Sequence, residues 1–167
     1  MRIAFGKHCG ALLEKILLTD PGYIEWMLNV QKRDRKFQEL CQEACRLVNL
    51  FDRKPLQKEC CNDGCGKQAT RLSITDGGYE FNYWCDECRP RSVENYGEAV
   101  DVVHNYLSAL YLEMKHPVEY FQLGTPLLAL AYAKGFKMSP RDLGLEAFYR
   151  NEKPKPSSML GNRVQGV

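Results

Sequence analysis

Cys60-Cys-Asn-Asp-Gly-Cys65 and Cys85-Asp-Glu-Cys88 are the two stretches that decide how the middle of this chain folds. They hold five of the eight cysteines in a chain of 167 residues. Zinc takes about four soft ligands in a tetrahedron, and two cysteines a few residues apart can share one tight turn. The spacing therefore predicts a zinc ribbon. Its Zn²⁺ would be structural, because four thiolates leave no coordination position open.

The sequence between the two cysteine stretches predicts a β-hairpin. Residues 71–75 alternate between polar and apolar, Asp76-Gly-Gly78 is a turn signal, and residues 79–84 form a second strand rich in aromatic residues. Such a hairpin brings the second cysteine pair back to the first. Because it is too small to bury a sufficient core, zinc is expected to supply much of its folding free energy. The aromatic side chains either pack a core face or stack on nucleic-acid bases.

The choice of metal ligands leaves one alternative open. Cys61 gives the spacing CxxxC with Cys65 and Cys60 gives CxxxxC, and both spacings are allowed. The alternatives to a metal site are a redox-active CxxC pair and reduced cysteines without a role. Redox-active pairs usually belong to a strand–helix unit, and none is visible here. The candidate ligands, with only one of the first two expected to bind, are Cys60, Cys61, Cys65, Cys85 and Cys88.

Helical patterns precede the ribbon. Apolar residues at helical spacing predict a short helix over 11–18, and Asp20 and Pro21 have the residue types that cap and open a second one. A single apolar stripe predicts one long helix over 31–54. Cys41 and Cys45 lie one turn apart on that helix and are expected to be buried structural thiols rather than metal ligands.

Helical patterns also follow the ribbon. Ser92 has the residue type of an N-cap and predicts a helix whose apolar face would include Val100 and Val103. Thr125-Pro126 opens the next helix, Gly135 closes it, and a last one runs to Tyr149. The predicted fold class is α+β, mainly helical, with a small zinc ribbon between helical parts. The predicted divisions are an N-terminal module with the long helix (1–58), the ribbon (59–91), a C-terminal helical part (92–150) and a flexible tail (151–167).

The charge pattern separates the long helix from the ribbon. The net charge is only +2, which excludes a strongly basic coat of the histone kind. Between Cys60 and Pro90, three basic residues face five acidic ones, and a zinc tetrathiolate would add negative charge. Phosphate binding needs the opposite sign. Any contact with DNA or RNA is therefore expected at four basic residues at the start of the long helix: Lys32, Arg33, Arg35 and Lys36. The alternative is that these residues only form a solvated helix face.

Two motifs near the N-terminus resemble a known module. They are Phe5-Gly-Lys-His-Cys-Gly10 and Asp20-Pro-Gly-Tyr-Ile-Glu-Trp-Met-Leu28. Residues 3–28 resemble the C-terminal module of exodeoxyribonuclease X-like proteins, which also occurs in phage proteins. The segments 65–70 and 83–88 look like a zinc ribbon of phage and mobile-element proteins. The resemblance implies an accessory role in DNA transactions and no nuclease activity, because the catalytic part of such exonucleases is a separate domain.

These observations favour a non-enzymatic function. The chain has no GxSxG, HExxH or P-loop motif and only three histidines. We expect a DNA-binding or RNA-binding subunit of a phage, plasmid or bacterial nucleoprotein complex. The alternative is an adaptor or inhibitor that docks on a larger protein without touching nucleic acid. No apolar run approaches the roughly 18 residues of a membrane span and no secretory signal is visible, so a cytoplasmic protein without a membrane partner is expected.

Overall fold

The computed structural model describes residues 1–30, 34–74, 81–88, 101–115, 125–137 and 143–149. These parts form six helices and a three-stranded antiparallel sheet, and about half of the described residues are helical. The predicted α+β fold, with a small sheet and four clustered cysteines between helical parts, is confirmed. In chain order the elements are α1 Leu13–Thr19, α2 Pro21–Asn29, α3 Arg35–Arg53, β1 Arg71–Ile74, β2 Phe81–Trp84, β3 Asp101–Val103, α4 Tyr106–Lys115, α5 Pro126–Ala133 and α6 Leu143–Tyr149.

Asp20 separates α1 from α2 in the predicted way. Its Oδ1 accepts a hydrogen bond from the Tyr23 amide at 3.2 Å, which caps α2, and Pro21 is the first helical residue. Its Oδ2 lies 2.6 Å from Lys7 Nζ and 2.8 Å from His8 Nε2. Burial alone would raise the pKa of Asp20, but these hydrogen bonds outweigh it and lower the pKa. The carboxylate thus ties the 5–10 turn to the start of α2.

The long helix α3 begins at Arg35 because Asp34 caps it, accepting from the Phe37 amide at 3.0 Å. Residues 31–33 of the predicted helix lie outside the described residues. The predicted apolar stripe is confirmed by five buried residues on one face: Phe37, Leu40, Ala44, Leu47 and Phe51. This stripe places α3 against α1, α2, α4 and α6.

The sheet has the order β2-β1-β3. β1 and β2 pair antiparallel, with Arg71 opposite Trp84 and Ile74 opposite Phe81, as the hairpin prediction requires; residues 75–80 lie outside the described part. The prediction of a helix is wrong at Val103, because residues 101–103 form β3 on the other edge of β1, while Val100 lies outside the described residues. Val102 and Val103 are β-branched and favour a strand, and pairing satisfies backbone groups that the edge of β1 would leave open.

The helix expected after Ser92 begins at Tyr106. Asn105 Oδ1 accepts from the Ser108 amide at 2.8 Å, and Asp52 of α3 accepts from the Tyr106 amide at 2.7 Å. Both contacts satisfy amides of the first turn, which have no partner inside the helix. The residues 89–100 lie outside the described part.

One hydrophobic core joins the helices to the sheet. Leu72, Ile74 and Val103 of the sheet belong to the same buried cluster as the inner faces of the helices. Tyr106 packs edge-on against Phe51, and its hydroxyl donates to the Leu17 carbonyl oxygen at 2.8 Å. The ribbon is therefore attached to the helical body through a shared core.

The segment that leads from α3 into the ribbon is anchored on α5. The Gln57 amide donates to the Ala133 carbonyl oxygen at 2.5 Å, where α5 ends. Gly135, the predicted end of this helix, has φ +90° and leaves room for the Gln57 side chain. A Cβ at Gly135 would fall on Gln57 Nε2 and lie 2.7 Å from its Cδ. The glycine is thus needed for its φ angle, and a Cβ there would in addition force the exposed Gln57 side chain to move.

Replacing Gly135 with alanine should lower the free energy of unfolding more than replacing Gly10 does. Both glycines have positive φ, but nothing lies within 4 Å of a Cβ at Gly10. We expect a loss of about 1 kcal/mol for Gly10→Ala, from the backbone angle alone, and about 1 kcal/mol more for Gly135→Ala. Urea unfolding would measure both. Gln57→Ala in the Gly135→Ala background should recover the difference, and equal losses in the two single variants would contradict the packing argument.

Candidate metal centre

Four cysteine sulfurs converge at one end of the sheet. The Sγ atoms of Cys60, Cys65, Cys85 and Cys88 all lie within 4.8 Å of one another. Cys65 Sγ is 3.7 Å from Cys85 Sγ and 3.5 Å from Cys88 Sγ. A tetrahedral ion with metal–sulfur distances of about 2.3 Å separates its sulfurs by about 3.8 Å, whereas a disulfide needs about 2.05 Å. The spacing fits a tetrahedral metal site and not a disulfide.

The first pair of ligands is held by a turn between residues 60 and 67. The Cys60 amide donates to the Lys67 carbonyl oxygen at 2.8 Å, and the Cys65 amide donates to the Asn62 carbonyl oxygen at 3.0 Å. Gly66 has φ +59°, the left-handed conformation that side chains disfavour, and it follows the second cysteine as predicted. The turn therefore points Cys60 and Cys65 to the same side.

The second pair is positioned by β2. Cys85 directly follows this strand, and the Thr70 amide donates to the Trp84 carbonyl oxygen at 2.8 Å, which extends the pairing with β1 to the cysteine. The Cys88 amide then reaches back to Cys85 Sγ at 3.4 Å. Since β1 and β2 are in register, Cys85 and Cys88 meet the first turn.

Cys61 stands apart from the cluster. Its side chain is exposed, and its amide donates to the Tyr83 carbonyl oxygen at 2.8 Å. That bond fixes the Cys61 backbone beside β2, while buried Cys60 supplies the sulfur of the cluster. The alternative left open by the sequence is therefore decided in favour of Cys60. The cysteine spacings could not decide between Cys60 and Cys61, because the choice depends on which carbonyl oxygen accepts the hydrogen bond of the Cys61 amide.

The thiols of the cluster have unequal proton affinities. The amide of Cys88 lowers the pKa of the Cys85 thiol to about 7 against the effect of burial, with further help from the Glu87 amide. Hydrogen bonds to Cys65 and Cys85 raise the pKa of Cys88 to about 12. Asn62 Nδ2 also donates to Cys88 Sγ, at 3.4 Å. Backbone and amide donors aimed at sulfur stabilise thiolates, which are the form that binds metal.

Two basic side chains of the ribbon form ion pairs with carboxylates. Lys67 Nζ lies 2.5 Å from Glu87 Oε2, and Arg71 forms an ion pair with Asp86. Both pairs join the first half of the ribbon to the second. Lys67 is thus close enough to interact with the thiols of Cys65 and Cys85, but its ammonium group is paired with Glu87.

The aromatic residues of the hairpin lie in the sheet. Phe81 and Tyr83 are half-buried and pack against the core, and Trp84 Nε1 donates to Ser73 Oγ at 2.7 Å. Tyr83 also lies under Lys58 Nζ, 5.7 Å from the ring centroid. These contacts favour the packing role over base stacking. Tyr79, the remaining predicted aromatic, lies outside the described residues.

The cysteines of α3 differ from the expectation of two buried thiols. Cys41 is half-buried, its Sγ lies 3.5 Å from the Met27 carbonyl oxygen, and burial raises the pKa of its thiol. Cys45 is exposed, so the expectation is wrong for this residue. One helical turn shifts a side chain by about 40° around the axis, enough to move it from the edge of the apolar stripe to the surface.

The predicted nucleic-acid residues are only partly described. Lys32 and Arg33 lie outside the described residues. The Arg35 side chain is exposed but lies 2.9 Å from Glu39 Oε1, one turn further along α3. Lys36 is exposed. The structure thus places Arg35 and Lys36 on the surface, away from the core.

The chain matches no protein-family model, no curated protein and no solved structure. The resemblance to the exodeoxyribonuclease X-like module therefore stays a prediction. Among the described helices, none is both long enough and apolar enough to cross a lipid bilayer.

Exchanging Cys60 for serine should disrupt metal binding, whereas the same exchange at Cys61 should not. The two residues are neighbours with the same side chain, but only the sulfur of Cys60 belongs to the cluster. We expect about one equivalent of metal in wild type and Cys61→Ser, and at least 100-fold weaker binding in Cys60→Ser. Elemental analysis and competition with a chelator would measure this. Equal losses in both variants, or loss only in Cys61→Ser, would contradict the assignment.

Proposed function

We propose that this chain is a zinc-binding, non-enzymatic accessory subunit of a nucleoprotein complex. The observation that carries the zinc assignment is the convergence of four cysteine sulfurs at tetrahedral spacing. Four soft thiolates in a tetrahedron suit zinc or iron, and zinc is the usual ion where the centre has only a structural task. Cys60, Cys65, Cys85 and Cys88 would hold it.

The zinc is proposed to be structural for two reasons. Four protein sulfurs complete a tetrahedron and leave no position for a water or substrate. Cys60 and Cys85 are also buried, so two of the four ligands are closed to solvent. The ion would join the two turns of the ribbon and hold β2 in register with β1, which in turn keeps Leu72 and Ile74 in the shared core.

Removing the metal should unfold the ribbon before the helical body. After chelation nothing would link the four thiols, because the ion is what joins them. The helices α1 to α6 would stay packed through their buried faces. We expect near-complete retention of the helical circular-dichroism signal, with Trp84 fluorescence shifting to that of a solvated indole. Trp26→Phe would leave Trp84 as the reporter. An unchanged Trp84 signal after metal removal would contradict a structural role.

Nucleic-acid contact is proposed at the start of α3. Four basic residues fall within positions 32–36, and the one acid among them, Asp34, is occupied as the helix cap. The Arg35–Glu39 pair is exposed, and such pairs contribute at most about 1 kcal/mol, so a phosphate can compete for Arg35. The positive end of the helix dipole adds to this charge. In contrast, Lys67 and Arg71 of the ribbon are held by carboxylates beside a dianionic centre.

Charge reversal at Lys32, Arg33, Arg35 and Lys36 should weaken binding to DNA or RNA and flatten its dependence on salt. Each phosphate contact that is lost reduces the slope of log K against log salt by about 0.7 to 0.9. A salt titration by fluorescence anisotropy, with single-stranded and double-stranded probes, would measure both quantities.

The matched control reverses four exposed basic residues elsewhere, which changes the net charge equally: Arg46, Arg53, Lys58 and Lys137. It should keep most of the affinity. Equal losses in both variants would mean that only net charge matters, and no binding by wild type at low salt would contradict the nucleic-acid role.

A protein-docking adaptor is the second candidate. It is favoured by the low net charge and by the pairing of basic residues with carboxylates at Lys7, Arg46, Lys67 and Arg71. The salt titration distinguishes the two candidates. A protein that loads zinc but ignores nucleic acid at low salt would be an adaptor.

A further inference from the structure

Trp26 is the exposed member of a row of aromatic side chains that connects α2 with the start of α3. Its exposed fraction is 44%, whereas Tyr23 and Phe37 are buried, at 7% and 2%. The ring centroid of Trp26 lies 5.3 Å from that of Tyr23 and 6.4 Å from that of Phe37, to which it is edge-on. The indole is thus held by two buried rings while almost half of its surface stays accessible. We refer to Tyr23, Trp26 and Phe37 as the aromatic row.

The buried rings of the row are themselves held by the N-terminal turn. Phe5 stacks on Phe37 with a centroid distance of 5.8 Å, and His8 packs edge-on against Tyr23 at 4.7 Å. The position of Trp26 therefore depends on packed neighbours from three segments of the chain. An aromatic surface that is fixed before binding loses little conformational entropy when a ligand packs on it.

Exposed basic side chains lie at both ends of the aromatic row. At one end, Arg35 and Lys36 directly precede Phe37 in the first turn of α3, and both are exposed. At the other end, Lys7 Nζ lies 5.6 Å from the centroid of the Tyr23 ring, and the Lys7 side chain is 62% exposed. An exposed ring between cations is the arrangement with which proteins bind a single nucleic-acid strand, because the cations contact phosphates and the ring stacks on a base.

The carboxylates near the row have partners of their own. Asp20 Oδ2 lies 2.6 Å from Lys7 Nζ, but Asp20 also accepts from the Tyr23 amide and contacts His8 Nε2. It would keep these two partners if Lys7 turned to a phosphate, and exposed ion pairs are weak enough for a phosphate to compete. Glu25, the neighbour of Trp26 in sequence, lines the cleft between α2, α3 and α4.

We propose that Trp26 stacks on an unpaired base of a single-stranded nucleic acid whose phosphates contact the basic residues at the ends of the row. This inference rests on the nucleic-acid contact proposed at the start of α3 and names the form of nucleic acid bound there. In a duplex each base is covered by its neighbours, so only an unpaired base offers its face to an aromatic ring. Because every base has such a face, the contact would tolerate any sequence.

Two other aromatic residues provide the comparison. Trp84 is engaged in the sheet, where its Nε1 donates to Ser73 Oγ at 2.7 Å. Tyr111 is more exposed than Trp26, at 71%, but it belongs to α4 and not to the aromatic row. If exposure of a ring were sufficient for binding, Tyr111 would contribute at least as much as Trp26. Tyr111→Leu is therefore the matched control for Trp26→Leu.

Two probes of equal length separate stacking from phosphate binding: an oligothymidylate and an abasic strand, which has the same phosphates but no bases. The wild type should bind the oligothymidylate more tightly. Trp26→Leu, which keeps an apolar side chain but has no aromatic face, should weaken that binding about 10-fold and leave the abasic strand unaffected. The slope of log K against log salt should stay the same, because no phosphate contact is lost. Fluorescence anisotropy would measure all of these quantities.

The variants control for folding and for the chemistry of the ring. Trp26→Phe should retain most of the affinity for the oligothymidylate, since it keeps an aromatic face, and Tyr111→Leu should retain all of it. Circular dichroism and metal content would verify that each variant is folded. The same titrations with oligouridylate would show whether the preferred strand is DNA or RNA, and the loss in Trp26→Leu is expected for whichever binds more tightly.

Tryptophan fluorescence gives a second test on the unlabelled protein. Addition of oligothymidylate should quench the emission of the wild type, because a base stacked on the indole quenches it. The quenching should be absent in Trp26→Phe, in which Trp84 is the remaining tryptophan.

The outcomes distinguish this proposal from the proposed function. Equal affinity of Trp26→Leu and wild type for the oligothymidylate, or equal losses in Trp26→Leu and Tyr111→Leu, would overturn stacking by Trp26 and leave the phosphate contact of α3 in place. A wild type that binds the abasic strand as tightly as the oligothymidylate would do the same. No binding to any strand at low salt would overturn both.

Discussion

The antiparallel pairing of β1 with β2 is the constraint on which the rest of the structure depends. Its register places Cys85 and Cys88 against the turn that holds Cys60 and Cys65. The same pairing directs the side chains of Leu72 and Ile74 into the core that the sheet shares with the helices. It also leaves the other edge of β1 open for pairing with β3. A slip of one residue would reverse the faces of the strand, exposing these apolar residues and separating the sulfurs. Metal binding and core packing therefore require the same register and support each other.

The ribbon and the helical body divide the chemistry between them. The ribbon gathers thiols, and its described cations are held by Glu87 and Asp86. The helical body supplies the exposed basic residues Arg35 and Lys36 at the start of α3. A closed four-cysteine centre attached to a helical body with exposed basic residues fits the proposed role as an assembly subunit. Its proposed tasks are to bind nucleic acid and to be part of a larger complex. Neither task requires an open coordination position on the metal.

Some elements could be predicted because their signals are local. Asp20 and Pro21 mark a helix start by chemistry contained in a few residues, as do Thr125 and Pro126. The start of α4 has a local signal as well, since Asn105 caps the helix by accepting a hydrogen bond from the Ser108 amide, and this cap separates α4 from β3. The strand β3 could not be predicted in this way. Three residues with two valines form a strand here because β1 offers an open edge, and that edge comes from a distant part of the chain.

The sequence by itself determined that four cysteines would meet around a hairpin, because cysteine spacing, glycine and the alternation of the strands are properties of short segments. It also determined the helical stripe of α3, for the same reason. Only the tertiary structure decided between Cys60 and Cys61, because the choice follows from the hydrogen bond between the Cys61 amide and Tyr83, 22 positions away in sequence. Only the tertiary structure exposed Leu107, Tyr111 and Met114, since the apolar pattern of α4 is compatible with burial of either side. Which side is covered depends on where α2, α3 and α5 pack, and that is a property of the whole fold.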